Sequence, residues 1–273
     1  MATITQAQWN RYIQRLRSIN DQAVKEFRDF VVKHGGYANI DRQVLIDYGY
    51  AIATKYGEAS AALSAQMYDA VAELSGAIVP AAVPAQTAAY SDVAKTVNGI
   101  IKNTGNEDIL AEGLGRLVKM AGTDTMLENA VRDQDCYVRT RRSRRSYKQR
   151  HTGAEVAWVP SGDTCPYCIM LAGAGWRKQT NWGASQHTEH VHANCDCTYM
   201  VRFTPDLELQ GYDPSEYSAM YENADGGTKE EKLNSMRREA YAEHKDEINA
   251  QKRSAYEKRK ERESSEAEEI NVD

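Results

Sequence analysis

Apolar residues along the first half of the chain recur at intervals of three and four, the period of an α-helix with one buried face. Over residues 4–34 the positions are Trp9, Ile13, Leu16, Ala23, Phe27 and Val31. Thr5 and Gln8 have the spacing of a capping box at the start of this run, and Gly35-Gly36 ends it. A second run from about Asp41 to Ser75 carries the stripe Tyr48, Ile52, Tyr56, Ala59, Leu63, Met67, Val71 and Leu74. Its small residues permit close helix–helix approach. The Pro- and Ala-rich stretch from Gly76 to Ala85 breaks the period. Shorter helices are expected near 86–104, 107–121 and 124–149, with Gly105 and Gly122 as joints and Thr125/Glu128 as a second capping box. No strand pattern of any length is expected before residue 150.

After Arg150 the pattern changes. Residues 155–159 and 197–203 read as short strands. Residues 206–227, with Pro214 and Gly226-Gly227, read as a connector. From Lys229 to about Glu263 the period is helical, but its apolar positions are only Leu233, Met236, Ala240, Tyr241, Ile248 and Tyr256. Such a helix lies on a partner or stays a solvated spacer. Residues 263–273 hold five acids and no base and are expected to be disordered. No internal repeat is present.

Composition narrows the class. The chain has 273 residues, 41% of them hydrophobic, and a mean hydropathy of -0.66. That fits long solvated helices around a core of ordinary size. Tyr outnumbers Phe by 16 to 3, which suits half-buried helix faces and interfaces. No run of apolar residues reaches the length of a membrane span, and the opening residues lack the apolar core of a signal peptide. An internal, reducing environment is the expectation. There, closely spaced cysteines favour metal over disulfides.

Four of the five cysteines fall in two close pairs, within Cys165-Pro-Tyr-Cys168 and His192-Ala-Asn-Cys195-Asp-Cys197. A two-residue gap lets one tight turn aim both thiolates at one ion. The second cluster adds an imidazole and two more thiolates. Four such ligands close a tetrahedral zinc site and leave no position for a reactive water, so the spacing indicates a structural zinc. Cys165, Cys168, His192 and Cys195 are the preferred set, with Cys197 in place of His192 or Cys195 as the competitor. Asp163 could cap the turn. A thioredoxin-like use of Cys165 and Cys168 is disfavoured, because that motif opens a helix after a βαβ strand and needs no second cluster. A His-Asn-His nuclease would draw on His187, Glu189, His190 and Asn194 beside a zinc knuckle, but the usual pair of flanking Cys-x-x-Cys knuckles is absent. Leu171-Ala-Gly-Ala-Gly175-Trp176 lacks the ending of a phosphate loop and reads as a turn. His34, His151 and His244 read as surface or structural residues. No carboxylate pair or serine motif marks a catalytic site.

Net charge is -5, which argues against nucleic-acid binding by the molecule as a whole. Arg139, Arg141, Arg142, Arg144, Arg145, Lys148 and Arg150, however, lie together with no acid among them. On the expected helix, Arg141, Arg144, Arg145 and Lys148 would share a face. That face suits phosphates or an acidic protein surface equally well.

The stretch Trp158-Val-Pro-Ser-Gly-Asp-Thr-Cys165-Pro-Tyr-Cys168-Ile-Met-Leu-Ala-Gly, followed by His192-Ala-Asn-Cys195-Asp-Cys197-Thr, resembles the MuF-like minor capsid (head morphogenesis) proteins of tailed bacteriophages. In that family a Cys-x-x-Cys-x-Met-Leu-Ala stretch precedes a His-x-x-Cys-x-Cys-Thr stretch. The residues after Leu-Ala depart from the family's frequent Ser-Arg-Gly. Ile248-Asn-Ala-Gln-Lys-Arg and Tyr256-Glu-Lys-Arg-Lys resemble its C-terminal helix. The resemblance implies a non-enzymatic virion protein bound at the portal or the inner capsid, made in the host cytoplasm and acting in head assembly. Portal and major capsid proteins would be its partners and packaged DNA a further one, with no membrane and no small-molecule substrate. The expected architecture is therefore mainly α: an elongated helical bundle domain (1–150), a small α+β zinc-binding module (151–205), a connector and charged helix (206–262) and the acidic tail (263–273).

Overall fold

The computed structural model describes residues 3–143, 146–161, 164–178 and 197–246, with 249–250, 253 and 256–257 beyond them, and for 140–143, 146 and 147 the backbone alone. It is mainly helical, with three small sheets.

The first helix, α1 (Gln6–Lys33), is closed by the expected capping box: the Thr5 hydroxyl accepts from the Gln8 N–H, and the Gln8 side chain accepts from the Thr5 N–H. The second, α2 (Arg42–Ser75), is capped by Asp41 and stops at Gly76, whose φ of 65° suits glycine. A short extended segment then leads to α3 (Tyr90–Asn103). Residues 82–85 are held by side chains of neighbouring helices. Asp69 accepts from the Ala82 N–H and Thr125 from the Ala85 N–H, while Asn129 bonds both backbone groups of Val83. The extended backbone has no ladder of its own there, so these side chains satisfy it.

From residue 107 onward the structure departs from the sequence reading. One continuous helix, α4 (Glu107–Arg132, capped by Asn106), replaces the two expected around a joint at Gly122. Gly122 sits mid-helix because α4 lies close against α2: a Cβ there would stand 2.8 Å from Ser64 Oγ and 3.2 Å from the Ser60 carbonyl oxygen. Thr125 is no cap; its hydroxyl donates to the Ala121 carbonyl within the helix. Gly105 is a joint as expected, with φ 56°.

The helix expected to reach residue 149 ends at Arg132. The chain then forms an antiparallel hairpin, β3 (Cys136–Ser143) and β4 (Ser146–Thr152). Strands before residue 150 thus exist, contrary to expectation. The pattern that decides it has period two: Cys136 and Val138 are buried, Tyr137 and Arg139 exposed. A two-residue strand, β2 (Ala77–Ile78), pairs with the base of β3, and β1 (Thr3–Ile4) pairs in parallel with β7 (Glu208–Leu209). The expected strands after residue 150 are present as β5 (Glu155–Val159) and β6 (Thr198–Arg202), paired antiparallel. Three further helices are α5 (Pro166–Gly173), α6 (Pro214–Glu222) and α7 (Lys229–Glu243). The acidic tail lies outside the described residues.

Two main clusters form the core. One packs Phe27, Val31, Leu45, Val93, Val97, Leu110 and Leu114 among the first four helices. The other joins Trp9, Ile13, Tyr68 and Met126 to Trp158, Cys168, Cys197, Tyr199, Met200 and Phe203. The cysteine-bearing sheet and helix are therefore packed directly onto α1, α2 and α4, and β4 runs through the 150/151 position.

Candidate functional site

Cys165 is the N-cap of α5, and Pro166 fills the first helical position, where a missing N–H costs nothing. The Cys165 sulfur accepts from the Cys168 N–H at 3.4 Å. One turn thus brings both sulfurs to the same helix end, with a backbone amide supporting one of them. Cys168 is buried; Cys197, the residue before β6, is buried in the same cluster, and Cys165 packs against it. No disulfide forms among the described cysteines.

The turn is closely packed on several sides. Trp158 of β5 meets Tyr199 of β6 edge-on, with ring centroids 4.8 Å apart. Burial pushes the Tyr199 and Tyr167 hydroxyls above their ordinary pKa. The far end of α5 lies against α6: a Cβ at Gly173 would stand 2.8 Å from the Ser218 nitrogen, and the Tyr212 hydroxyl donates to the Ala172 carbonyl at 2.7 Å. Gly175, with φ 64°, turns the chain after α5, as expected for that glycine-rich stretch. Lys229 of α7 stands 5.7 Å over the Tyr167 ring, and Leu233 and Met236 of α7 are buried.

Of the zinc candidates, the structure therefore gathers Cys165 and Cys168, and brings Cys197 into the cluster they border. Among the described residues no three Cys, His, Asp or Glu side chains form a metal-holding group. His192 and Cys195 lie outside the described residues, as do Asp163 and the nuclease candidates His187, Glu189, His190 and Asn194. In donor chemistry, a Cys-x-x-Cys turn at a helix start supplies half of a tetrahedral thiolate site. The fifth cysteine, Cys136, sits buried on β3 in the same hydrophobic cluster, where burial and Asp133 raise its thiol pKa.

The basic stretch is not one helical face. Arg139, Arg141 and Arg142 lie on β3, Lys148 and Arg150 on β4, and Arg144 and Arg145 fall between the strands outside the described residues. The register pairs Arg139 with Gln149, Arg141 with Tyr147, Thr140 with Lys148 and Val138 with Arg150. At the hairpin base Arg150 donates to Thr204 at 2.7 Å and lies 3.6 Å from Asp206. His151 contacts Asp135, and the Tyr137 ring packs edge-on against it. The sequence reading missed the ribbon because Arg-rich segments favour helix; the alternation over 136–139 was the available signal.

None of the described helices is long and apolar enough to cross a membrane. A family model described as VG15 protein matches residues 3–224, a span holding the helical half, the hairpin and both cysteine clusters. No curated protein and no solved structure matches the chain. The chain belongs to the VG15 protein family, a family of viral and phage proteins.

Proposed function

We propose that this chain is a non-enzymatic minor capsid protein of the MuF-like kind, acting in phage head assembly at the portal vertex or the capsid interior. What supports the reading most is that the match to a phage family covers residues 3–224 as one span, from the first helix through both cysteine clusters. The quoted words around Cys165, Cys168, His192 and Cys197 add the likeness to head morphogenesis proteins.

A structural zinc is part of the proposal. Cys165 and Cys168 would hold it with two of His192, Cys195 and Cys197. Once bound, such an ion contributes folding free energy and offers no open coordination position. The chain's own residues then do the mechanical work. The α5 turn and β6 fix each other's position, and β5–β6 carries that constraint into α1, α2 and α4 through Trp158, Tyr199 and Phe203. A surface held in one conformation loses less entropy when it docks on portal or capsid subunits.

Mass spectrometry of purified particles tests the assignment. The chain should be present in virions as a low-copy component. Particles that assemble fully without it, and never contain it, overturn the reading.

A further inference from the structure

We infer that the groove between α1 and α2 docks an amphipathic helix of a partner protein, one with an apolar face and acidic residues along the flank turned toward α1. The inference goes beyond the virion reading, which names no docking surface, and stands without it.

The first observation is an apolar seam with no helix laid on it. On α2, Leu63, Met67, Ala70 and Leu74 follow one another at intervals of four, three and four, the spacing with which one helix packs along another. All four line one groove of about 560 Å3, whose other wall is α1. Leu63 is buried there, as are Tyr12, Val71 and Ile4 of β1. The seam itself is left open: Met67 is half-buried, Ala70 is exposed and Leu74 is 45% exposed. At 1.5 Å per residue the seam is about 16 Å long, three turns of a docked helix. Met67 adds an adaptable apolar contact at its middle.

Charge is the second observation. Arg11 and Arg15, one turn apart on α1, are exposed and line the same groove. Neither makes an ion pair or a hydrogen bond among the described residues. Further along α1, by contrast, Lys25 pairs with Asp29 and Arg28 with Asp108. Residues 1–20 contain no acid, so the two guanidinium groups have only their mutual repulsion across one helical turn. A partner carboxylate relieves that repulsion.

Together these features specify the occupant. A helix in the groove sets its apolar face on the α2 seam and its acids against Arg11 and Arg15. Its other flank meets Gln66 and Glu73 of α2 and is neutral or basic. A nucleic-acid backbone fits poorly: its phosphates would face Glu73, and the apolar seam would stay uncovered.

The test is binding of the full chain to fluorescent, hydrocarbon-stapled helices of about four turns, read by anisotropy. One helix carries leucines at alternating spacings of three and four, two Glu one turn apart on one flank, and Gln on the other. A second has Lys in place of the two Glu. Exposed charge pairs are weak, so at low salt the Glu helix should bind about 5-fold tighter than the Lys helix, and the two should converge above about 0.5 M salt. Arg11→Glu with Arg15→Glu should reverse the preference. Leu74→Gln, a change at an exposed position, should weaken binding of the Glu helix about 5-fold. Wild-type protein that binds both helices alike, or neither below about 1 mM, overturns the proposal without any variant. So does a folded double variant that keeps the original preference. Self-association of the chain that Leu74→Gln abolishes, with neither helix bound, would assign the groove to a second copy instead. The virion assignment is read separately by mass spectrometry of particles, so failure of one leaves the other standing.

Discussion

Asp124 sits half-buried on α4, with Glu128 one turn away and Tyr199 of β6 within electrostatic range. Burial, with a smaller contribution from Glu128, raises its carboxyl pKa to about 7. An unfolded Asp titrates near 4. Between about pH 4 and 7 the folded chain therefore holds a proton that the unfolded chain has released. The stabilising effect of that proton is complete at low pH and disappears as pH rises toward 7. Asp124→Asn removes the ionisation, so its stability relative to wild type should be higher at pH 8 than at pH 5. The difference should be about 1–2 kcal/mol by urea unfolding, allowing for partial solvent contact. The same relative stability at both pH values would contradict this account. Nothing in the sequence marked Asp124. Its neighbour Tyr199 is 75 residues away along the chain, and only the packing of β6 on α4 brings them together.

Helices were the elements most legible in the sequence. The capping box at Thr5, the stop at Gly35-Gly36 and the period in α1 rest on local chemistry, and the folded chain uses each as expected. In α2 the helix is as expected but its stripe is only partly the buried face: Ile52, Leu63 and Val71 are buried, Ala59 and Leu74 are exposed, and Gly49, Ala53, Gly57, Ser60 and Ser64 also face the core. Failures came where a local signal has two meanings. Gly122 reads as a joint because glycine lowers helix propensity. In the fold it allows α4 to approach the Ser60 and Ser64 positions of α2. Gly122→Ala, a change that favours an isolated helix, should therefore destabilise the folded protein by about 1–3 kcal/mol in thermal or chemical unfolding. A more stable variant would mean that α2 and α4 are not closely packed there. The β3–β4 hairpin was missed for a related reason. Arginine suits helices, and the period-two pattern that argues for a strand covers only Cys136 to Arg139 before polar residues hide it. The strands at 155–159 and 198–202 were legible because their apolar runs are short and bounded by turns.

For the whole molecule, the sequence divides more sharply than the fold. Composition changes near residue 150, yet the largest hydrophobic cluster crosses that point and binds Trp9, Tyr68 and Met126 to Trp158, Cys168 and Phe203. A boundary read from composition marks a change of local chemistry, while packing is set by contacts far apart in sequence. The Cys165–Cys168 turn was legible because residue spacing is a local property; His192 and Cys195 lie outside the described residues. The central claim is that ligands from both clusters close on one zinc ion and hold α5 against β6. The most direct test is metal analysis of the full-length chain after prolonged dialysis, beside Cys165→Ser. The account predicts about one zinc per chain in the wild type and its loss in the variant. Wild-type protein that is folded and carries no zinc would contradict it.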